Sequence, residues 1–209
     1  MLNKKKVAIV IAIPVIIIIA IIVFIVVQNS GGPKVAKLYD RLQNSQGYVF
    51  EMNDTNNYEI TIAKKNGQTS IEMNNAGDKV TTLVKDGQTY LISHSKKEYY
   101  IYDNNAAGET VVTDMLKDLK SPDSTGNEDV YGKSYKYEEY KGFAGFMTST
   151  NMNIEDNNVK TRFYFSGNDL VYIKTIIEGG DDEILETKVS YDAPDELFEI
   201  PSDYAESSF

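Results

Sequence analysis

Val7 to Val27 is an apolar run of 21 residues, rich in Ile and Val, with Pro14 as its only irregularity. A helix of that length spans roughly 31 Å, close to the ~30 Å hydrocarbon core of a bilayer. Membrane helices tolerate Pro better than soluble ones, so Pro14 leaves this reading intact. A buried core helix would need apolar protein on every side, and the rest of the chain has too little. The run predicts a transmembrane helix over 7–27.

Lys4, Lys5 and Lys6 precede the run directly. Positive charge beside a membrane segment stays in the cytoplasm, so residues 1–6 read as a cytoplasmic tail. Lys34, Lys37 and Arg41 flank the other end, but they belong to a long domain, for which the rule is weak. The run is longer than the core of a cleaved signal, and Gln28-Asn29-Ser30-Gly31-Gly32 after it holds no Ala-x-Ala site. The expected arrangement is an uncut, single-pass signal anchor in the cell membrane. Residues 28–32 are the linker, 33–204 an extracytoplasmic domain and 205–209 a C-terminal tail.

All 31 acidic residues lie beyond the run, against 18 of the 21 basic ones, so the domain carries about −13. That field, with no basic stripe, excludes nucleic acid as a partner. Cysteine is absent. Disulfides, a thiolate nucleophile, a Cys-based zinc site and an acylated Cys anchor are therefore ruled out. The 15 Tyr residues, with many Thr, Val and Ile, point to β-sheet.

Pro33 opens a helix in which Val35, Leu38, Tyr39 and Leu42 share one stripe. About six short strands follow, from Tyr48 to Asp103, with tight hairpins at Asn66-Gly67 and Asp86-Gly87. Val112, Met115, Leu116 and Leu119 recur at helical spacing and predict a second helix over 109–120. Ser121 to Asn127 reads as a loop. Strands resume at Val130–Tyr140, Val159–Phe165, Leu170–Ile177 and Ile184–Tyr191, and Leu197–Pro201 closes the domain in extended form. Gly142–Asn158 stays ambiguous. About ten strands exceed what a flat open sheet carries comfortably, and two amphipathic helices are the natural filling for a curled one. The expected class is α+β: a curved antiparallel half-barrel with helices on its concave side.

This order resembles the lipoprotein-carrier (LolA-like) superfamily, which includes mycobacterial glycolipid-binding lipoproteins and envelope sensor domains. The likeness rests on the helix Val35–Leu42 and the paired hairpins at Lys85–Ile92 and Lys97–Tyr102. It also rests on the inserted helix and on the closing Phe198-Glu199-Ile200-Pro201-Ser202-Asp203-Tyr204, and covers most of 33–204. It implies a half-barrel of about eleven strands around an apolar cavity that takes acyl chains, and no catalytic machinery. The chain departs from lipoprotein members in lacking a Cys and from soluble carriers in keeping an anchor.

The implied ligand is a lipid or other apolar molecule. Candidate lining residues are Tyr100, Tyr102, Val112, Met115, Leu116, Leu119, Phe163 and Phe165. The alternative for such aromatics is core packing, which would make the domain an envelope-protein interaction or sensor module. His94 is the only His and has no evident nucleophile or orienting carboxylate, so it reads as a polar turn residue. Asp181-Asp182-Glu183, Asp123 with Glu128 and Asp129, and Glu155-Asp156 fit no calcium loop. No metal, cofactor or catalytic site is expected. Removing residues 1–27 should move the protein from the membrane pellet to the soluble fraction on ultracentrifugation; a truncated chain still in the pellet would refute the anchor.

Overall fold

Turn chemistry sets the strand order. Asn66-Gly67, Ala76-Gly77 and Asp86-Gly87 each place two successive residues at positive φ. That is the geometry of two-residue hairpins whose twist matches the flanking strands. They join β2 (Tyr58–Lys65), β3 (Gln68–Asn75), β4 (Asp78–Lys85) and β5 (Gln88–Ser93). With β1 (Gly47–Asn53) and β6 (Glu98–Tyr102), the first half is the expected six-strand meander. The computed structural model describes residues 32–55, 58–102, 112–145 and 159–208. The apolar run 7–27, the Glu109–Val111 start of the expected second helix and most of the ambiguous 142–158 segment lie outside these residues. Among the described residues no helix is long and apolar enough to cross a membrane.

The second half departs from expectation at one hairpin. Val130–Tyr140 is not one strand: β7 (Ser124–Val130) turns at Tyr131-Gly132 into β8 (Lys133–Lys141). Both turn residues have positive φ, at 50° and 79°. A Tyr there is uncommon, which hides the turn. The expected loop correspondingly shrinks to residues 121–123. Gly126, a loop signal in isolation, sits inside β7 paired with Tyr137. A Cβ on Gly126 would come within 2.7 Å of the Tyr137 hydroxyl, so the ring occupies the space that a side chain would fill. Then come β9 (Val159–Ser166), β10 (Asp169–Ile177) and β11 (Glu183–Ser190). The expected extended Leu197–Pro201 is preceded and partly replaced by a 3-10 turn at Asp195–Phe198, begun by Pro194 at φ −60°. Ala205–Glu206, expected as tail, forms β12 and pairs parallel with β6.

All twelve strands make one open sheet in the order β12-β6-β5-β4-β3-β2-β1-β11-β10-β9-β8-β7. Every pairing except β12 with β6 is antiparallel. The two meanders meet where β1 pairs β11, Phe50 opposite Val189. There are two helices among the described residues, α1 (Lys34–Asn44) and α2 (Val112–Leu116). α2 ends four residues before Lys120. Leu119 N–H donates to Leu116 C=O at 3.0 Å, a tighter i to i+3 bond. That bond keeps Leu119 beside the core without a longer helix, which is why the spacing overstated the length.

Side-chain parity assigns the two faces. Phe50, Ile62, Ile71, Thr82, Leu91 and Tyr100 are successive cross-strand partners and share one face. Val35, Leu38 and Leu42 of α1 and Val112 and Leu116 of α2 join Phe50, Ile62, Phe163, Phe165 and Ile173 in the main core, so both helices cover this face. On the opposite face Val49, Ala63, Leu83 and Ile92 pack with Ala193, Leu197, Phe198, Ile200 and Tyr204. The C-terminal segment therefore straps across the back of the first meander.

α1 has Pro33 at its N-cap and no side-chain cap of its own. Its free N–H groups find a carboxylate from β8 instead. Lys34 N–H donates to Glu138 Oε1 at 2.5 Å and Val35 N–H to Oε2 at 3.0 Å. The Tyr140 hydroxyl donates to Oε2 at 3.3 Å. Burial, then the neighbouring Glu138 charge, pushes the Tyr140 hydroxyl pKa well up. Glu138→Ala is expected to cost about 2–4 kcal/mol, from a lost cap and charge-assisted hydrogen bonds. Urea unfolding measures it; a change under about 1 kcal/mol, the worth of an ordinary hydrogen bond, would remove Glu138 from this role.

Candidate functional site

The helix-bearing face has a solid end and a half-buried end. Val112, Leu116, Phe163 and Phe165 are at most 3% exposed, and Met115 and Leu119 pack partly buried against them. These six expected lining residues come together as filled core. Tyr100 and Tyr102 do not join them. They lie on β6 opposite Leu91 and Thr89, five strands from Phe50, which is roughly 24 Å at sheet spacing. The core reaches Ile71 on β3. Beyond it, Val80, Val84, Leu91, Tyr100 and Tyr102 continue the face half-buried, and Met73 is 37% exposed. An apolar surface thus extends over β3–β6, continuous with the core.

On the opposite face of the second meander, charges interlock. Arg162 donates to Glu128 at 2.5 Å and to Glu139 at 2.7 Å. Lys174 pairs with Glu128 at 3.2 Å and Asp182 at 3.1 Å. The Tyr164 hydroxyl donates to Glu128 at 2.7 Å, and the Arg162 guanidinium stacks 4.4 Å from the Tyr137 ring centre. Burial raises the Glu128 pKa, but hydrogen bonds from Tyr164, Arg162 and Lys174 outweigh it and hold the carboxyl below its usual value. Of the acidic residues noted in the sequence, Glu128 and Asp182 thus serve as partners for cations. Asp123 accepts instead from a backbone group, the Lys141 amide N–H, at 2.8 Å. Glu155-Asp156 lies outside the described residues. No cluster of three or more potential metal ligands occurs among the described residues. Sequence reasoning missed this network because its members are spread over β7–β10 and the turn before β11, and meet only in the folded sheet.

His94 fastens the C-terminal strap. Its Nε2 lies 2.8 Å from Thr81 Oγ1 and its Nδ1 3.0 Å from the Tyr204 hydroxyl. Tyr204 also packs edge-on against the imidazole, ring centres 5.6 Å apart. Both ring nitrogens are engaged in holding β4, β5 and the strap together.

Two open cavities of about 300 Å³ flank Lys34. One is lined by Lys34, Lys136, Glu138, Phe165 and residues 125–127 of β7. The other lies along α1 between Lys37, Arg41 and Asn168. Sequence reading did not find this locus, since Lys136 is about 100 positions from α1.

Burial, then the Lys79 charge, lowers the His94 pKa. As pH falls below about 6.5, the unfolded chain takes up this proton before the folded one. Stability linked to neutral His94 is thus full above that pH and declines beneath it, as far as the lowered folded value. Urea unfolding at pH 7 and pH 5 should show a larger loss for the native chain than for His94→Gln; equal losses would contradict the strap's dependence on His94.

No protein-family model and no curated protein matches the chain. Among solved structures, an uncharacterised conserved protein from Thermus thermophilus aligns at a TM-score of 0.46 and 10% identity. The alignment covers 84% of this chain and 99% of that one. The likeness is loose, and no residue role passes from it.

Proposed function

We propose that residues 33–204 are a non-enzymatic binding module of the lipoprotein-carrier type. The apolar run 7–27 tethers it on the extracytoplasmic side of a membrane, and it takes an apolar ligand such as a lipid acyl chain. The observation that carries this reading is the half-buried apolar surface over β3–β6, on the helix-bearing face and continuous with the main core. Half-buried Ile, Val, Leu and Tyr side chains in register give an acyl chain a continuous floor, worth up to about 0.8 kcal/mol per buried CH₂. A sheet that curls round its helices as a half-barrel would deepen that floor into a groove. The absence of catalysis in this proposal is consistent with the engagement of His94 by Thr81 and Tyr204, and of Glu128 and Glu139 by Arg162.

A second reading has its own support. Six of the eight expected lining residues are packed core, as an envelope-sensor or protein-interaction module with a filled interior requires. Native mass spectrometry of purified protein and displacement of a fluorescent fatty acid separate the two. The ligand-binding reading expects co-purified lipid and micromolar affinity, and Leu91→Glu should weaken binding at least tenfold, or about 1.4 kcal/mol. A protein that carries no lipid and displaces no fatty acid leaves the interaction module standing.

A further inference from the structure

Lys34 and Lys37 open α1 and Lys136 lies beside them, with Arg41 further along in the last turn, in a domain that is acidic overall. Lys34, Lys37 and Arg41 lie at i, i+3 and i+7 on one side of the helix. Lys136 approaches from β8, where it pairs with Phe165 on β9. Half of the cations elsewhere on the sheet sit in ion pairs, as Lys65, Lys79, Arg162, Lys174 and Lys188 do. Lys136 makes no ion pair or hydrogen bond through its side chain among the described residues, and neither does Lys37. Lys34 Nζ donates to the Gly167 carbonyl and stands 5.3 Å from the Phe165 ring centre.

The one carboxylate in the cavity offsets only part of this positive charge. Both oxygens of Glu138 are taken by the Lys34 and Val35 N–H groups and the Tyr140 hydroxyl. Burial first, then the Lys136 and Lys37 charges, lower the Lys34 pKa, and the Glu138 charge opposes them without reversing the shift. Like charges held together at a cavity of about 300 Å³ are relieved by an anion between them. That volume is at the lower end for small-molecule sites. Thr125 and Asn127 on β7 line the same cavity and bring a hydroxyl and an amide to its wall. Several donors of mixed kind suit a tetrahedral oxyanion, which Lys binds as a point charge.

We propose that the cavity between the start of α1, β7 and β8 binds a phosphate group, held by Lys34 and Lys136. The phosphate is either a soluble one or the headgroup of an anionic lipid. The lipid source alone rests on the tethered reading above, since only residues 28–32 separate the apolar run from Pro33 at the start of the domain. The phosphate site itself is independent of the apolar surface on β3–β6.

The test uses the full-length chain in neutral detergent micelles, with binding followed by isothermal titration calorimetry. The probes are inorganic phosphate, short-chain phosphatidic acid and the zwitterionic short-chain phosphatidylcholine. Binding of phosphatidic acid without phosphatidylcholine is the expected result, weakened at least tenfold by Lys136→Gln and by high salt. Binding of inorganic phosphate with the same dependence on Lys136 also upholds the site and assigns a soluble source. Lys136 is exposed, so its substitution should leave the unfolding midpoint unchanged. No binding of either phosphate, or undiminished binding by the Lys34→Gln, Lys136→Gln double variant, overturns the proposal. Fatty-acid displacement by the Leu91→Glu variant is read separately, so the two sites fail or stand apart.

Discussion

Glu138 reaches back across about a hundred positions of sequence to cap a helix whose own N-cap residue, Pro33, offers no side chain for the task. The first turn of any α-helix exposes unpaired N–H groups and a partial positive charge, and a carboxylate satisfies both. Here that carboxylate comes from β8, one strand in from the edge of the sheet. The cap therefore does more than finish a helix: it fixes where α1 lies. From that position Val35, Leu38 and Leu42 reach Phe50, Phe163 and Phe165, and the main core forms. α2, a single turn, is too short to be stable alone and depends on the same cluster.

The sheet carries a different cover on each face. Two helices shield one side of β1, β2 and β8–β11, whereas a strap from Ala193 to Tyr204 shields the other side of β1–β6. The central strands are buried from both directions, which explains the run of buried Tyr48, Val49 and Phe50 in β1. Away from the centre the covers diverge. The strap side of the first meander is packed, and its helix side is half-open. The far face of the second meander has neither cover, and it is built from ion pairs and tyrosines instead.

Much of this was legible in the residues. Asn66-Gly67 and Asp86-Gly87 announced their hairpins because both residue pairs tolerate positive φ. The alternation in Val159–Phe165 and the stripe Val35–Leu42 gave the correct faces to the core. Tyr131-Gly132 was missed because Tyr is rare at positive φ, and Gly126 was misassigned because its partner, the Tyr137 ring, is visible only in register. Tyr100 and Tyr102 were grouped with Phe163 as candidate lining residues, but nothing local in the sequence shows that five strands separate them from β1. The Glu138 cap and the Lys34–Lys136 locus are long-range, so no local pattern encodes them. One signal was available and unread: apolar residues at both parities, as in Tyr48-Val49-Phe50 and Ile62-Ala63, require a cover on each side, and so anticipate the strap.

The parallel pairing of Ala205–Glu206 with β6 has a consequence for how such chains coexist. A twelve-stranded open sheet ends in two rows of backbone groups able to recruit a neighbour's strand, and the tethering proposed above would crowd copies together at a bilayer surface. At one margin the chain's own C-terminus occupies the first places along β6. At the other, β7 presents Thr125, Asn127 and Asp129 as exposed polar side chains, with Gly126 between the first two. Each margin is thus blunted by a different device, one a plug and the other polarity, so that crowding need not become fibre growth.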